Sequence, residues 1–231
     1  MSSIAIITAR GGSKRIPRKN IKDFLGKPII AYSIETALNS KLFDVVMVST
    51  DDDEISIISK EYGAVVPFIR SDKNSNDFSC TMDVIKEVVD TYKKKDQYFD
   101  YICCIYPTAP FISTQKLKES FELLKKKKFD TVFPVCEFSF PIYRALQVNE
   151  NNKVNMIWEE NRNLRSQDLP NSYHDAGQFY WVTNKTIMEN GQLYSDNSGV
   201  VVLSQLEVQD IDNQVDWSLA ELKYKVLHGI S

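Results

Sequence analysis

Short apolar runs alternate with stretches in which apolar residues recur every three or four positions, and this alternation organises the chain as far as about residue 136. Ile4-Ala5-Ile6-Ile7 reads as a buried strand, too short for a core helix. After a polar loop, Pro28 suits a first helical turn, and Ile29, Ile30, Ile34, Ala37 and Leu38 follow on one helical face. Val45-Val46-Met47-Val48 repeats the strand pattern. It ends in Ser49-Thr50-Asp51-Asp52-Asp53-Glu54, whose carboxylates suit the positive end of a helix carrying Ile55, Ile57 and Ile58. A third short strand is predicted from Ala64 to Phe68. Val84, Ile85, Val88, Val89 and Tyr92 mark a further helix, Tyr101 to Ile105 a strand, and Ser113 the cap of a helix with Leu117, Phe121 and Leu124. Lys125 to Lys128 then form a solvated, dipole-compatible helix end. Thr131 to Val135 is the next strand, and Val200-Val201-Val202-Leu203 a late one. The rhythm predicts an α/β fold, a doubly wound, mainly parallel sheet with helices on both faces.

The rhythm fails over 137–175, where polar residues and aromatics mix. Tyr143 to Val148 and Val154 to Trp158 can pair as a hairpin through Asn149 to Lys153. A segment too polar to fold alone is expected to pack against another subunit, so this excursion is predicted to be the dimerisation arm of a homodimer; a plain surface loop is the competing reading.

Composition narrows the function classes. The 231 residues are 43% hydrophobic and no low-complexity linker divides them, so a single domain over 1–231 with one excursion is the economical expectation. No apolar stretch approaches the roughly 20 residues of a membrane span, and a cytoplasmic setting is expected. The four cysteines show no zinc-ligand spacing and read as reduced core thiols. With 28 basic and 31 acidic residues, a net charge of -3 and no extended basic face, nucleic acid is not the expected partner.

Positive charge is instead concentrated at one place. Arg10-Gly11-Gly12-Ser13-Lys14-Arg15-Ile16-Pro17-Arg18-Lys19 packs five basic side chains behind the first strand. Gly11 and Gly12 let backbone N–H groups approach an anion, Lys14 and Lys19 supply point charges, and Arg10, Arg15 and Arg18 supply planar forks. The loop is neither a Walker A sequence nor a dinucleotide fingerprint. It reads as a triphosphate cradle, with a solvated basic turn as the alternative. Near the C-terminus, alternation places Asp210 and Asp212 on one side of an extended segment and Ile211 on the other. Such a pair is a hard-oxygen site for magnesium, Mg2+, completed by phosphates and water. Alternatively, Asp212 or Asn213 caps the last helix, with Asp216 in its first turn.

Ala9-Arg10-Gly11-Gly12-Ser13-Lys14 with Ile16-Pro17-Arg18-Lys19-Asn20 resembles the signature of the acylneuraminate (nonulosonic acid) cytidylyltransferases. So do Ser49-Thr50-Asp51, Tyr106-Pro107-Thr108-Ala109-Pro110, Gln167-Asp168-Leu169-Pro170, and Asp210-Ile211-Asp212 with Asp216-Trp217. Departures from the sialic acid branch fall at Tyr106, at Ala109-Pro110-Phe111-Ile112, at Ser166 and at Ala176-Gly177-Gln178. Arg15, Tyr106, Phe111 and the run from Tyr173 to Trp181 look instead like the branch that activates pseudaminic acid.

The resemblance implies a Rossmann-like nucleotidyltransferase that uses CTP and a nonulosonic acid, with pseudaminate the first expectation, and forms a CMP-sugar and pyrophosphate. Ala9, Gly11, Gly12 and Ser13 belong to the nucleotide loop; Arg10, Lys14 and Lys19 hold the triphosphate, with Lys19 following charge onto the leaving group. By family position, Asn20, Arg70 and Ser79 contact cytosine or ribose, although Arg70 equally reads as a surface charge. Arg165 matches the cation for the sugar carboxylate. Tyr106, Thr108 and Gln178 face the sugar, and His174 either contacts substrate, acts as a base or is structural. Phe179, Tyr180 and Trp181 are expected to pack the sheet. N-acetylneuraminate and legionaminate are the alternative substrates. A metal-dependent glycosyltransferase and a non-catalytic nucleotide-binding module are the alternatives of another class.

Overall fold

The computed structural model describes residues 1–76, 78–189 and 191–230. Its strands are β1 Ser3–Thr8, β2 Asp23–Phe24, β3 Lys27–Pro28, β4 Val45–Ser49, β5 Tyr101–Ile105, β6 Thr131–Glu137, β7 Leu146–Val148, β8 Val154–Met156, β9 Tyr173–Asp175, β10 Phe179–Thr183 and β11 Ser198–Leu203. The helices are α1 Ile29–Ser40, α2 Asp53–Glu61, α3 Thr81–Lys93, α4 Thr114–Lys127, α5 Asn184–Glu189 and α6 Gln214–His228. The central sheet runs β11-β6-β10-β5-β1-β4, with β9 added against β6. Neighbours β1/β4, β1/β5 and β6/β11 are parallel, whereas β10 is antiparallel to both β5 and β6.

Period-two alternation explains why the sheet is buried on both faces. Ala5, Ile7, Val46, Val48, Cys103 and Ile105 pack with Ile30, Ile34, Leu117 and Phe121 of α1 and α4. Ile4, Ile6, Met47, Ile102 and Cys104 meet Met82, Ile85 and Val88 of α3 on the other side. Phe179, Tyr180 and Trp181 are buried within these two layers. The chain leaves β1 toward β4 and returns to β5 on β1's other flank. Ligands of open α/β sheets bind at such a reversal, outside the carboxyl ends of the strands.

Several local expectations are corrected. Ala64 to Phe68 forms only a single bridge, Val65 to Met47, because Val65 exchanges bonds with Val46 and Val48 and then diverges. Leu38 and Ile57 lie on exposed helix faces, and Cys80 is exposed at the start of α3, where its thiol donates to Asp83. The other three cysteines are buried free thiols. Ser113 caps α4 by accepting from the Lys116 N–H at 3.2 Å. The excursion does contain a hairpin, β7 with β8, but shorter than the pattern suggested, since Tyr143 belongs to a helical turn over Ile142–Arg144.

Candidate active site

The carboxyl ends of β1, β4 and β5 open together, with Thr8 level with Ser49 and Ile7 level with Ile105. The chain segments that follow them enclose a cleft of about 540 Å³. Its wall includes Arg10, Ser13, Lys14, Arg15, Lys19 and Asn20 from the loop after β1. Arg70, Asn74, Asn76, Ser79 and Thr81 come from the approach to α3, Tyr106, Pro107 and Thr108 follow β5, and Asp212 precedes α6. Five cations thus face one carboxylate, which suits a polyanion.

Local chemistry shapes the loop. Ala9, fully buried, donates its N–H to the Ser49 carbonyl and prolongs the β1/β4 pairing. The Gly11 N–H donates to Asp51 Oδ1 at 3.0 Å, and the Asp52 carboxylate lies where a Gly11 side chain would stand, 2.5 Å from an ideal Cβ. Gly12 faces open space. The Asn20 side-chain amide donates to the Arg10 carbonyl at 2.8 Å, tying the loop's end to its beginning.

Of the five basic residues, Arg18 does not reach the cleft wall. Its fork is spent on Asp52, at 2.5 and 2.8 Å, and on Glu54. The pair holds the Asp52 carboxyl down at about 2 and raises the Arg18 guanidinium; Asp52 also caps α2 by accepting from the Ile55 N–H. This ties the loop to α2 rather than to a ligand.

The C-terminal carboxylates arrive at the same place. Ile211 is 1% exposed while Asp210 and Asp212 point outward, as strand-like alternation requires. Lys19 Nζ donates to the Ile211 carbonyl at 2.7 Å and lies 3.9 Å from Asp212, whose other oxygen meets Arg15 at 2.7 Å. Burial lowers the Lys19 pKa, and the charges of Asp212 and Asp210 oppose that shift. Asp210 sits beside the cleft wall without being one of its residues. Asn213, not Asp212, caps α6, completed by Asp216.

Arg70 is buried, not a surface charge: its Nε donates to Ser49 Oγ at 3.0 Å and its Nη2 to the Ser49 carbonyl. Burial lowers its pKa. Three residues named for the sugar lie off the cleft wall. Gln178 is buried with its amide on the Glu207 carbonyl at 2.5 Å. Arg165 stands out on the excursion, forked onto Asp168 at 2.7 and 2.8 Å. His174 packs on Phe138 with Nδ1 at 2.9 Å from the Asp175 carbonyl. Asn74, Asn76 and Thr81, by contrast, line the cleft and were missed; their signal was a polar, Asn- and Ser-rich loop directly before a helix.

A sequence profile described as Cytidylyltransferase matches residues 4–215. The chain belongs to the cytidylyltransferase family. Among relatives of this cytidylyltransferase, a pseudaminic acid cytidylyltransferase of Campylobacter jejuni is 45% identical over 99% of this chain and 98% of its own length. A CMP-N,N'-diacetyllegionaminic acid synthase of Legionella pneumophila is 33% identical, over 96% and 95%. A CMP:2-keto-3-deoxy-manno-octonic acid synthetase solved with CTP shares the fold, with a TM-score of 0.71 at 17% identity over 99% of this chain and all of that one.

Proposed function

We infer that the protein transfers a cytidylyl group from CTP to the anomeric hydroxyl of a nonulosonic acid, with pseudaminic acid the preferred acceptor. The observation that carries the reading is Lys19 bonded to the Ile211 carbonyl, which joins the cationic loop to the segment that carries Asp212 into the same cleft, with Asp210 beside it. The 45% identity to a pseudaminic acid cytidylyltransferase over nearly the whole chain supports the substrate.

In this reaction the anomeric oxygen bonds to the α-phosphorus, the bond to the bridging oxygen of pyrophosphate breaks, and the acceptor's proton is released. Positioning and charge neutralisation do most of the work. Arg10 and Lys14 grip the phosphates, and Lys19 sits where it can follow charge onto the departing pyrophosphate. Asn20, Arg70 and Ser79 take the nucleoside end, Tyr106 and Thr108 the sugar.

Among the described residues no three His, Cys, Asp or Glu side chains cluster for a metal. Asp210 and Asp212 nevertheless fit magnesium, which commonly takes one or two carboxylates and fills its shell with phosphate oxygens and water. Bound there, Mg2+ would screen the α-phosphate and make the attacking hydroxyl more acidic.

The excursion is read as the arm of a homodimer: Phe140, Leu146, Val148, Val154 and Ile157 are all more than half exposed on it. Light scattering should then give a dimer that Val148→Lys with Val154→Lys converts to monomer, and a monomeric wild type would remove the arm's role. Arg165 and His174 on that segment would serve a sugar site completed by the arm. No helix among the described residues is long and apolar enough to cross a membrane, and a cytoplasmic setting follows from the need for CTP. The reaction is tested by identifying products: protein, CTP, magnesium and pseudaminic acid should yield CMP-pseudaminate and pyrophosphate in equal amounts. Pyrophosphate without CMP-sugar would contradict it.

A further inference from the structure

Asp212 faces a cation at each of its carboxylate oxygens. Arg15 Nη1 lies 2.7 Å from Oδ2, and Lys19 Nζ lies 3.9 Å from Oδ1. Two of these three partners are tied down. The Asp212 N–H donates to Asp216 Oδ2 at 2.9 Å, and its neighbour Ile211 is buried in the cluster around Trp217. Lys19 donates to the Ile211 carbonyl at 2.7 Å, and only 22% of its side chain is exposed. Arg15 is the partner that can leave: 68% of its side chain is exposed, and it stands on the cleft wall next to Lys14.

A divalent cation on Asp212 needs a carboxylate oxygen at a distance shorter than any ion pair. A guanidinium on Oδ2 takes the same lone pairs and repels the metal, so the two cations exclude each other there. An exposed ion pair contributes little, and Arg15 yields to a stronger anion. A triphosphate is such an anion, because the planar fork suits bidentate contact with phosphate oxygens and Arg10 and Lys14 line the same wall.

We propose that Arg15 and a divalent cation compete for Asp212, and that nucleotide decides the contest by drawing the Arg15 fork onto its phosphates. The inference rests on the reading of this cleft as a CTP and magnesium site. Arg15 then serves twice. It balances the Asp212 charge in the protein alone, and it adds a contact to the triphosphate as it releases that carboxylate to the metal. Metal therefore enters with the nucleotide, not ahead of it, and each ligand favours the other through one side chain.

The test uses binding, read without turnover. In nucleotide-free protein, Mn2+ followed by electron paramagnetic resonance should bind Arg15→Ala about five- to tenfold more tightly than wild type. CTP with magnesium, followed by calorimetry, should bind the same variant about tenfold more weakly. The gain in Mn2+ affinity should vanish when Arg15→Ala is combined with Asp212→Asn. Lys22 is the control for charge alone, since its ammonium donates to Gln214 Oε1 at 2.9 Å in the same segment without pairing with Asp212. Lys22→Gln should leave Mn2+ affinity unchanged. Mn2+ affinity no higher in Arg15→Ala, an equal gain in Lys22→Gln, a gain that survives Asp212→Asn, or unchanged CTP affinity would overturn the proposal. Should Arg15→Ala not fold, Arg15→Gln decides. A wild type that binds no CTP with magnesium defeats the functional reading itself; a wild type that binds it, with variants that behave alike, defeats only the exchange at Asp212.

Discussion

Lys19 and Ile211 are 192 residues apart in sequence, and the Lys19 ammonium donates to the Ile211 carbonyl at 2.7 Å. That bond closes the cleft between the loop after β1 and the segment before α6, and it places the lysine's charge 3.9 Å from Asp212. The ammonium is thus held by protein groups on one side while the cleft lies on the other.

Replacing this lysine tests its part in turnover. Lys19→Met should lower kcat/KM for CTP by about 100-fold or more, the scale of removing one preorganised charge from a transition state, with the melting temperature little changed. Because burial lowers the Lys19 pKa, rising pH removes its charge earlier than in an ordinary lysine. The alkaline limb of the rate profile should therefore begin below the usual lysine range, and Lys19→Arg should push it upward. A limb that stays put in the arginine variant would assign it to another group.

The two loop glycines should behave differently. A methyl on Gly11 meets the Asp52 carboxylate, itself pinned by Arg18, whereas one on Gly12 meets nothing within 4 Å. Gly11→Ala should lower the melting temperature and raise KM for CTP, while Gly12→Ala leaves the melting temperature unchanged. Equal melting temperatures for both variants would contradict the packing.

The Arg18–Asp52 pair predicts a pH-dependent stability. The Asp52 carboxyl falls from 3.8 to about 2, so the folded state binds fewer protons than the unfolded one in that window. Its contribution is complete above 3.8 and is lost as pH falls through about 2. Allowing for solvent screening of a partly exposed pair, and counting the helix cap, Asp52→Ala should cost about 1–2 kcal/mol near neutral pH in urea unfolding. The difference from wild type should shrink below pH 3; a constant gap would place the whole effect elsewhere.

Asp210 is exposed and caps nothing, so a structural role is weak. Asp210→Asn should keep the fold by circular dichroism and lose turnover by about 100-fold or more, with magnesium dependence shifted to higher concentration. Near-normal turnover would remove it from the metal site.

Much of this was legible in the sequence, and the legible part is local. The strand runs Ile4 to Ile7, Val45 to Val48 and Tyr101 to Ile105 declare themselves by composition, and Ser113 by its place before an amphipathic stretch. Where pairing depends on distant partners the pattern failed: Ala64 to Phe68 looks like a strand but finds one bridge, and β10 lies antiparallel among parallel neighbours. The site shows the same division. The cationic loop and the aspartates were readable from spacing, but not that Arg18 would turn to Asp52 and Arg15 to Asp212. Nor could spacing show that Tyr180, read as sheet packing, spends its hydroxyl on Asp175, because that contact needs the left-handed turn at Gly177 between β9 and β10.

The most direct test is pyrophosphate release measured with CTP, magnesium and, in turn, pseudaminic, N-acetylneuraminic and legionaminic acids. The prediction is release with all the accepted acids dependent on CTP, and the highest kcat/KM with pseudaminic acid. Equal or better turnover of N-acetylneuraminic acid would contradict the substrate assignment, and release with none of the three would contradict the function.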